Sequence, residues 1–213
     1  MKNKLLFLVC LLTIALSQAQ TITFTDANFK SKLLEANTDN EIAQDLDNNF
    51  VKIDTNDDGE IQESEALEIS YLDVANANIS SLDELSFFTN LGTIHCGSNN
   101  IEELNFEANT QLSFISVSYN PLNQLNISNN EDLEILLCEG TMLTEIDLSS
   151  NINLGLLDCG GNLFTTLDLS NNSKLTSVDY SHSSLLQAVY HKNGDDTNPS
   201  FLGGVYSLCR ILS

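Results

Sequence analysis

The sequence predicts an α/β solenoid, a stack of short coils with a parallel β ladder behind a small helical N-terminal module. Three observations carry that reading. Leucine recurs at positions 91, 112, 133, 154 and 175, a constant offset of 21. Rows aligned on those leucines share six columns that are apolar in every row or nearly so. Ahead of them lies an acidic stretch with one glycine, DTNDDGEIQESE at 54–65, which follows two short helical patterns.

The six columns are those of Leu91, Ile94, Cys96, Ile101, Leu104 and Phe106. The first three have the Leu-x-x-Leu-x-Leu spacing of a short strand. The column of Asn99, Asn120 and Asn162, with Thr141 and Ser183 substituting, completes the leucine-rich-repeat pattern. One such coil cannot bury its own apolar edge, so it must stack on its neighbours. Residues 69–90 read as a first, irregular coil with Ile69, Leu72, Val74, Ile79 and Leu82 in the core columns. The array then covers 69–198 in about six 21-residue coils, roughly 25 to 30 Å long at the ~4.8 Å spacing of paired strands.

A second column, Asn109, Asn130, Asn151 and Asn172, falls at the other bend of each coil. Asparagine tolerates left-handed backbone and bonds the free groups of a turn, so both asparagine columns read as structural. Asp147 and Asp168 share a column with Asn105 and Asn126 and are expected to cap turns or face solvent. Cys96, Cys138 and Cys159 share another. Two coils, about 10 Å, separate the first two, beyond the ~7 Å between alpha carbons that a disulfide allows. The last two sit on adjacent coils with parallel side chains, so all three read as small apolar core residues. Cys209 has no assigned role.

In the stretch 54–65, Asp54, Asn56 and Asp58 stand at loop positions 1, 3 and 5, Gly59 at 6, Glu60 at 7, Gln62 at 9 and Glu65 at 12. This is the full EF-hand calcium-loop pattern. Alternate residues point to one centre, Gly59 permits the bend, Glu60 offers its carbonyl, Gln62 acts through water and Glu65 gives two oxygens. The candidate ligands are therefore Asp54, Asn56, Asp58, Glu60, Gln62 and Glu65, and the cofactor is Ca2+. Ile61 is the apolar residue that joins a partner loop in paired hands. No second complete loop is present, since DLDNNF at 45–50 lacks the glycine and the terminal glutamate. A lone site outside the cell reads as a permanent clamp and not a sensor. The helical stretches DANFKSKLLEA and NEIAQDL precede the loop, so residues 20–68 form a helical, EF-hand-like cap on the open end of the array.

The chain begins with Lys2 and Lys4, an apolar run from Leu5 to Leu16, and Ser17-Gln18-Ala19. That is an export signal over 1–19, cleaved before Gln20. Its apolar run is shorter than the ~20 residues that span a bilayer. Cys10 lies inside that run and is not read as a lipid attachment site. The formal net charge of -22 disfavours nucleic acid and anionic membranes as partners. The expected product is a secreted or cell-surface monomer, not inserted in a membrane once the signal is removed.

ANFKSKLLEA at 27–36, KIDTNDDGEIQESEAL at 52–67, SYLDV at 70–74, ISSL at 79–82 and the LDLSNN-type coils resemble exported bacterial leucine-rich-repeat proteins of the flavobacterial, internalin-like kind. The resemblance covers the chain to about Asn198. It implies a surface or secreted interaction protein without enzymatic chemistry, often followed by a sorting domain for the type IX secretion route. The tail 199–213, PSFLGGVYSLCRILS, lacks the repeat pattern and such a domain, and reads as an irregular segment left by truncation or a frame shift, or as the end of a chain retained in another way.

Residues between the core columns of the strand face outward on the concave side. Phe114, Ile135 and Leu156 fill one such column, Leu137 lies in the next, and Tyr119 falls just past the strand. These five residues are the candidate contact surface for a protein or a surface glycan. An enzyme is not expected: no nucleophile motif or phosphate loop is present, and the histidines are His95, His182 and His191. The runner-up is a non-catalytic accessory or scaffold module of an extracellular polysaccharide-handling system.

Overall fold

The computed structural model describes residues 20–190 and the backbone of residues 200, 201 and 210–212. The export signal, Cys10, His191, Cys209 and most of the tail lie outside the described residues.

Each coil from Leu91 onward centres a three-residue strand on the middle residue of its first apolar trio, as Thr93–His95 is centred on Ile94. After β1 (Ala43–Asp45) and β2 (Ile69–Asp73), the chain forms β3 (Thr93–His95), β4 (Glu103–Asn105), β5 (Phe114–Ser116) and β6 (Gln124–Asn126). It continues with β7 (Ile135–Leu137), β8 (Leu156–Asp158), β9 (Thr166–Asp168), β10 (Ser177–Asp179) and β11 (Ala188–Tyr190). Ser200–Phe201 (β12) and Arg210–Leu212 (β13) pair in parallel with β10 and β11. Within 199–213 these two segments therefore extend both ladders.

The long sheet runs β1-β2-β3-β5-β7-β8-β10-β12. Its register aligns Leu72, Ile94, Ile115, Leu136, Leu157 and Val178 into one buried column. The molecule is thus a β-solenoid of about six coils of about 21 residues. A second, shorter ladder on the other side of the coil joins β4 to β6, and β9 to β11 and β13.

Between the ladders the backbone turns at left-handed residues in one column: Asn76, Ser98, Tyr119, Gly140, Gly161 and His182. Two of the six are glycine, the residue that pays least for this conformation. The neighbouring buried column of Asn99, Asn120 and Asn162 holds these corners. Asn99 accepts from the amides of Ala77 and Ile79 and donates to the carbonyls of Val74 and Cys96. Asn120 and Asn162 repeat the arrangement one and three coils on. Asp147 and Asp168 each accept from the amide two residues on, Ser149 and Ser170, as turn caps do.

Cys96, Cys138 and Cys159 are free and buried in the core, where loss of water pushes their thiols far above the ordinary range. Phe88, Phe106 and Phe164 are fully buried in the core, Phe88 with its ring centroid 6.4 Å from that of Phe29.

The N-terminal module holds two helices, α1 (Ala27–Leu34) and the single turn α2 (Glu63–Ala66). The helix expected over NEIAQDL is not formed; residues 43–45 are strand β1, antiparallel to β2 with Ala43 opposite Leu72. Two physical causes act together. The parallel ladder would otherwise end on unpaired backbone groups of β2, which β1 covers, the Asp73 amide donating to the Ile42 carbonyl at 2.8 Å. Left-handed Asn48 ends any helix there, and the Asp45 carboxylate accepts from the amides of Asp47 and Asn49 to close a tight turn.

Asp26 fastens α1 to the array. Its Oδ1 accepts from the amides of Asn28 and Phe29, capping the helix, and its Oδ2 accepts from those of Ser80 and Ser81 in the first coil. The Thr25 amide donates to buried Glu84 at 2.8 Å, in the 3-10 turn Asp83–Phe87 of the same coil.

Candidate functional site

Two places bear chemistry, the loop at 54–65 and the outward face of the long sheet. The loop is folded by its own oxygens. Asp54 accepts from the amides of Asp58 and Gly59, drawing the segment back on itself, and Gly59 takes φ 78° at the bend. Asn56 accepts from the Asp58 amide, and Asp58 accepts from the amide of Glu60. That last bond holds the Asp58 carboxyl below its ordinary range. Glu65 accepts from the amide and hydroxyl of Thr55 with one oxygen and from the Gln62 amide with the other. The Gln62–Glu65 pair forms a capping box on α2.

Among the described residues, no three histidine, cysteine, aspartate or glutamate side chains are gathered as a ready metal centre. The loop's polar groups bond one another, the Asn56 and Gln62 amides both reaching Asp58. The donor set is nonetheless all oxygen in kind, which suits a hard cation. The distribution of lysines agrees with it. Lys30 pairs with Glu60, whose carbonyl is the ligand in the pattern, at 2.7 Å. Lys52 pairs with Asp57, a non-ligand position. Asp54 and Glu65 are buried carboxylates that belong to neither ion pair.

The sequence did not reveal what stands opposite Ile61. Thr21 and Gln62 form an antiparallel bridge, the Ile22 amide donating to the Ile61 carbonyl and the Glu63 amide to the Gln20 carbonyl, both at 2.9 Å. The N-terminal segment thus pairs with the backbone of the loop, and Ile22 and Ile61 are both buried. Only the apolar character of Ile22 after a polar Gln-Thr pair hinted at a strand.

On the long sheet, the register puts Tyr71, Thr93, Phe114, Ile135, Leu156 and Ser177 in one outward column. Asp73, His95, Ser116, Leu137, Asp158 and Asp179 make up the other. Phe114, Ile135, Leu137 and Leu156 are half-buried and contiguous, while Tyr119 is 57% exposed, Met142 56% and Leu163 37%, just past the C-terminal ends of β5, β7 and β8. The Tyr119 hydroxyl donates to Glu139 of the next coil. Aromatic rings extend the stripe toward the cap: Phe50 to Tyr71, Tyr71 to His95 and His95 to Phe114, with centroids 6.4, 5.5 and 4.7 Å apart.

His95 is therefore a packing partner, and Ser116 and Leu137 separate it from Asp158 along its column. The Ser181 hydroxyl lies 3.1 Å from Nδ1 of adjacent His182, on an exposed turn. Asp179 bonds the Ser181 amide and not the imidazole, so the three do not form a nucleophile, base and orienter.

No protein-family model matches the chain, and no curated protein matches it. Solved structures do. The functional domain of InlJ from Listeria monocytogenes, described as including a cysteine ladder, is similar with a TM-score of 0.64 and 26% identity over 82% of this chain and 38% of that one. The internalin InlF of the same species gives 0.58 and 16% over 82% of this chain and 52% of that one. Internalin C2, also from Listeria monocytogenes, gives 0.51 and 17% over 86% and 93%. The chain spans less than two thirds of the length of the first two. Its fold is that of the leucine-rich-repeat internalins.

Proposed function

We propose that this protein is a secreted or cell-surface recognition module that binds a partner protein through the outward face of its long sheet, with one calcium ion clamping the cap. The observation that carries the binding reading is the contiguous apolar column Phe114, Ile135 and Leu156, with Leu137 beside it and Tyr119 at the edge. A monomer has no folding reason to keep such a stripe at its surface, whereas a contact site does. The Listeria internalin likeness supports the same reading.

Asp54, Asn56, Asp58, the Glu60 carbonyl, Gln62 and Glu65 would hold the ion. Calcium supplies no chemistry beyond charge and coordination, and its effect is to fix the turn into α2 and so into β2. The reading 1–19 as an export signal rests on its charge and apolar pattern. InlJ is described as including a cysteine ladder; the column of Cys96, Cys138 and Cys159 here is buried and serves packing.

The binding reading is tested by display of the chain from Gln20 onward against candidate surface proteins, beside Ile135→Glu. Loss of capture in that variant with an unchanged melting temperature supports it; undiminished capture sinks it.

A further inference from the structure

We propose that the outward face receives a protein surface carrying a lysine or arginine side chain next to an apolar patch. This inference rests on the reading of that face as the binding surface and adds the partner's chemistry. The apolar column is bounded by carboxylates. Asp158 and Asp179 are direct register partners on neighbouring strands, and Glu139 belongs to the next outward column of the preceding coil. Their hydrogen bonds come from the Gly160 and Ser181 amides and the Tyr119 hydroxyl.

The ion pairs of the described residues all lie in the cap. Lys174, the only lysine or arginine between residues 69 and 190, donates to Asn153 instead. Like charges one strand apart thus face outward without a counter-charge among the described residues. Partial burial pushes the Asp158 carboxyl above its ordinary range, and Asp179 and Glu139 push it the same way, so an incoming cation relieves a repulsion already present.

The spacing adds a constraint on the partner. Leu137 is the register partner of Asp158, so an apolar and an anionic position sit one strand apart, about 4.8 Å. Side chains one helical turn apart lie about 5 to 6 Å from each other. A helix with a basic residue one turn from a leucine therefore matches both positions at once.

The test uses the chain from Gln20 onward and two synthetic helical peptides, one of leucine and lysine and one of leucine and glutamate, titrated by fluorescence anisotropy at physiological salt. The lysine peptide is expected to bind and the glutamate peptide not. Asp158→Asn with Asp179→Asn should weaken binding about tenfold or more. Asp147→Asn with Asp168→Asn, the same charge change on the opposite side, should leave it unchanged. Leu156→Ser should weaken it without changing its salt dependence.

Equal binding of both peptides, still weakened by Leu156→Ser, would leave the face as a binding surface and overturn its cationic partner. Equal losses in the two aspartate pairs, or indifference to Leu156→Ser, would reduce the attraction to overall charge and overturn both readings. Binding of a neutral oligosaccharide with no peptide binding would assign the face to a glycan and overturn the inference.

Discussion

The side-chain amide of Asn130 donates to the backbone carbonyl of Asn109 at 2.7 Å and to that of Phe106 at 3.3 Å, so one residue binds its own coil to the one before it. Asn151 and Asn172 repeat the bond to the preceding coil at 2.9 and 2.8 Å. All are buried, so their carbonyl partners have no water to turn to. Asn130→Ala is expected to cost about 1 to 3 kcal/mol. Asn130→Asp should cost more, because it turns an acceptor toward two carbonyls. Thermal denaturation of the two variants checks both the size and the order.

Calcium at ~10 mM should raise the melting temperature of the chain from Gln20 onward. A site of ~0.1 to 1 mM affinity stabilises by roughly 1.4 to 2.7 kcal/mol at that concentration, or several degrees. Asp54→Ala should abolish the shift. A shift that survives in the variant would move the ion elsewhere, and no shift in either protein would leave the loop a hydrogen-bonded turn.

Acid should loosen the cap through Asp26. Burial raises its carboxyl, but amides of Ser80, Phe29, Ser81 and Asn28 outweigh that and hold it below its ordinary value of 3.8. A group depressed in the folded state contributes stability above its unfolded value and loses it as pH falls through the folded one. The protection of the Phe29, Ser80 and Ser81 amides against hydrogen exchange, relative to the free-peptide rate at the same pH, should fall below about pH 4. In Asp26→Ala that protection should be low at every pH, with the helix cap weakened by about 1 kcal/mol.

The core thiols should be silent. In a Cys209→Ser background, an aromatic disulfide reagent at pH 8 should leave Cys96, Cys138 and Cys159 unlabelled in the folded protein and label all three in denaturant. Fast labelling of the folded protein would contradict their burial.

The array was legible because its period is a property of the covalent chain. Leu91 to Leu175 fixed the coil length, and Leu72, Ile94, Ile115, Leu136, Leu157 and Val178 fell into the predicted core column. The left-handed column was not legible, since Ser98, Tyr119 and His182 adopt positive φ without being glycine, followed by Asn99, Asn120 and Ser183 respectively. Strand β1 escaped because Ile42 and Ala43 suit a helix as well as a strand, and only the open edge of β2 decides between them. The pairing of Gln20–Ile22 with Ile61–Glu63 depends on a contact about forty residues long that no local pattern announces.

The constant offset of about 21 between bonded strands has a mechanical meaning. Every coil closes a loop of nearly the same length, so each pays nearly the same entropy and leans on the one before it. Pulled at its C-terminal end against a fixed cap, the molecule would peel coil by coil, each release freeing about 70 Å of extended chain. The cap, closed by strand β1, Asp26 and the segment at Ile61, would be the last part to yield.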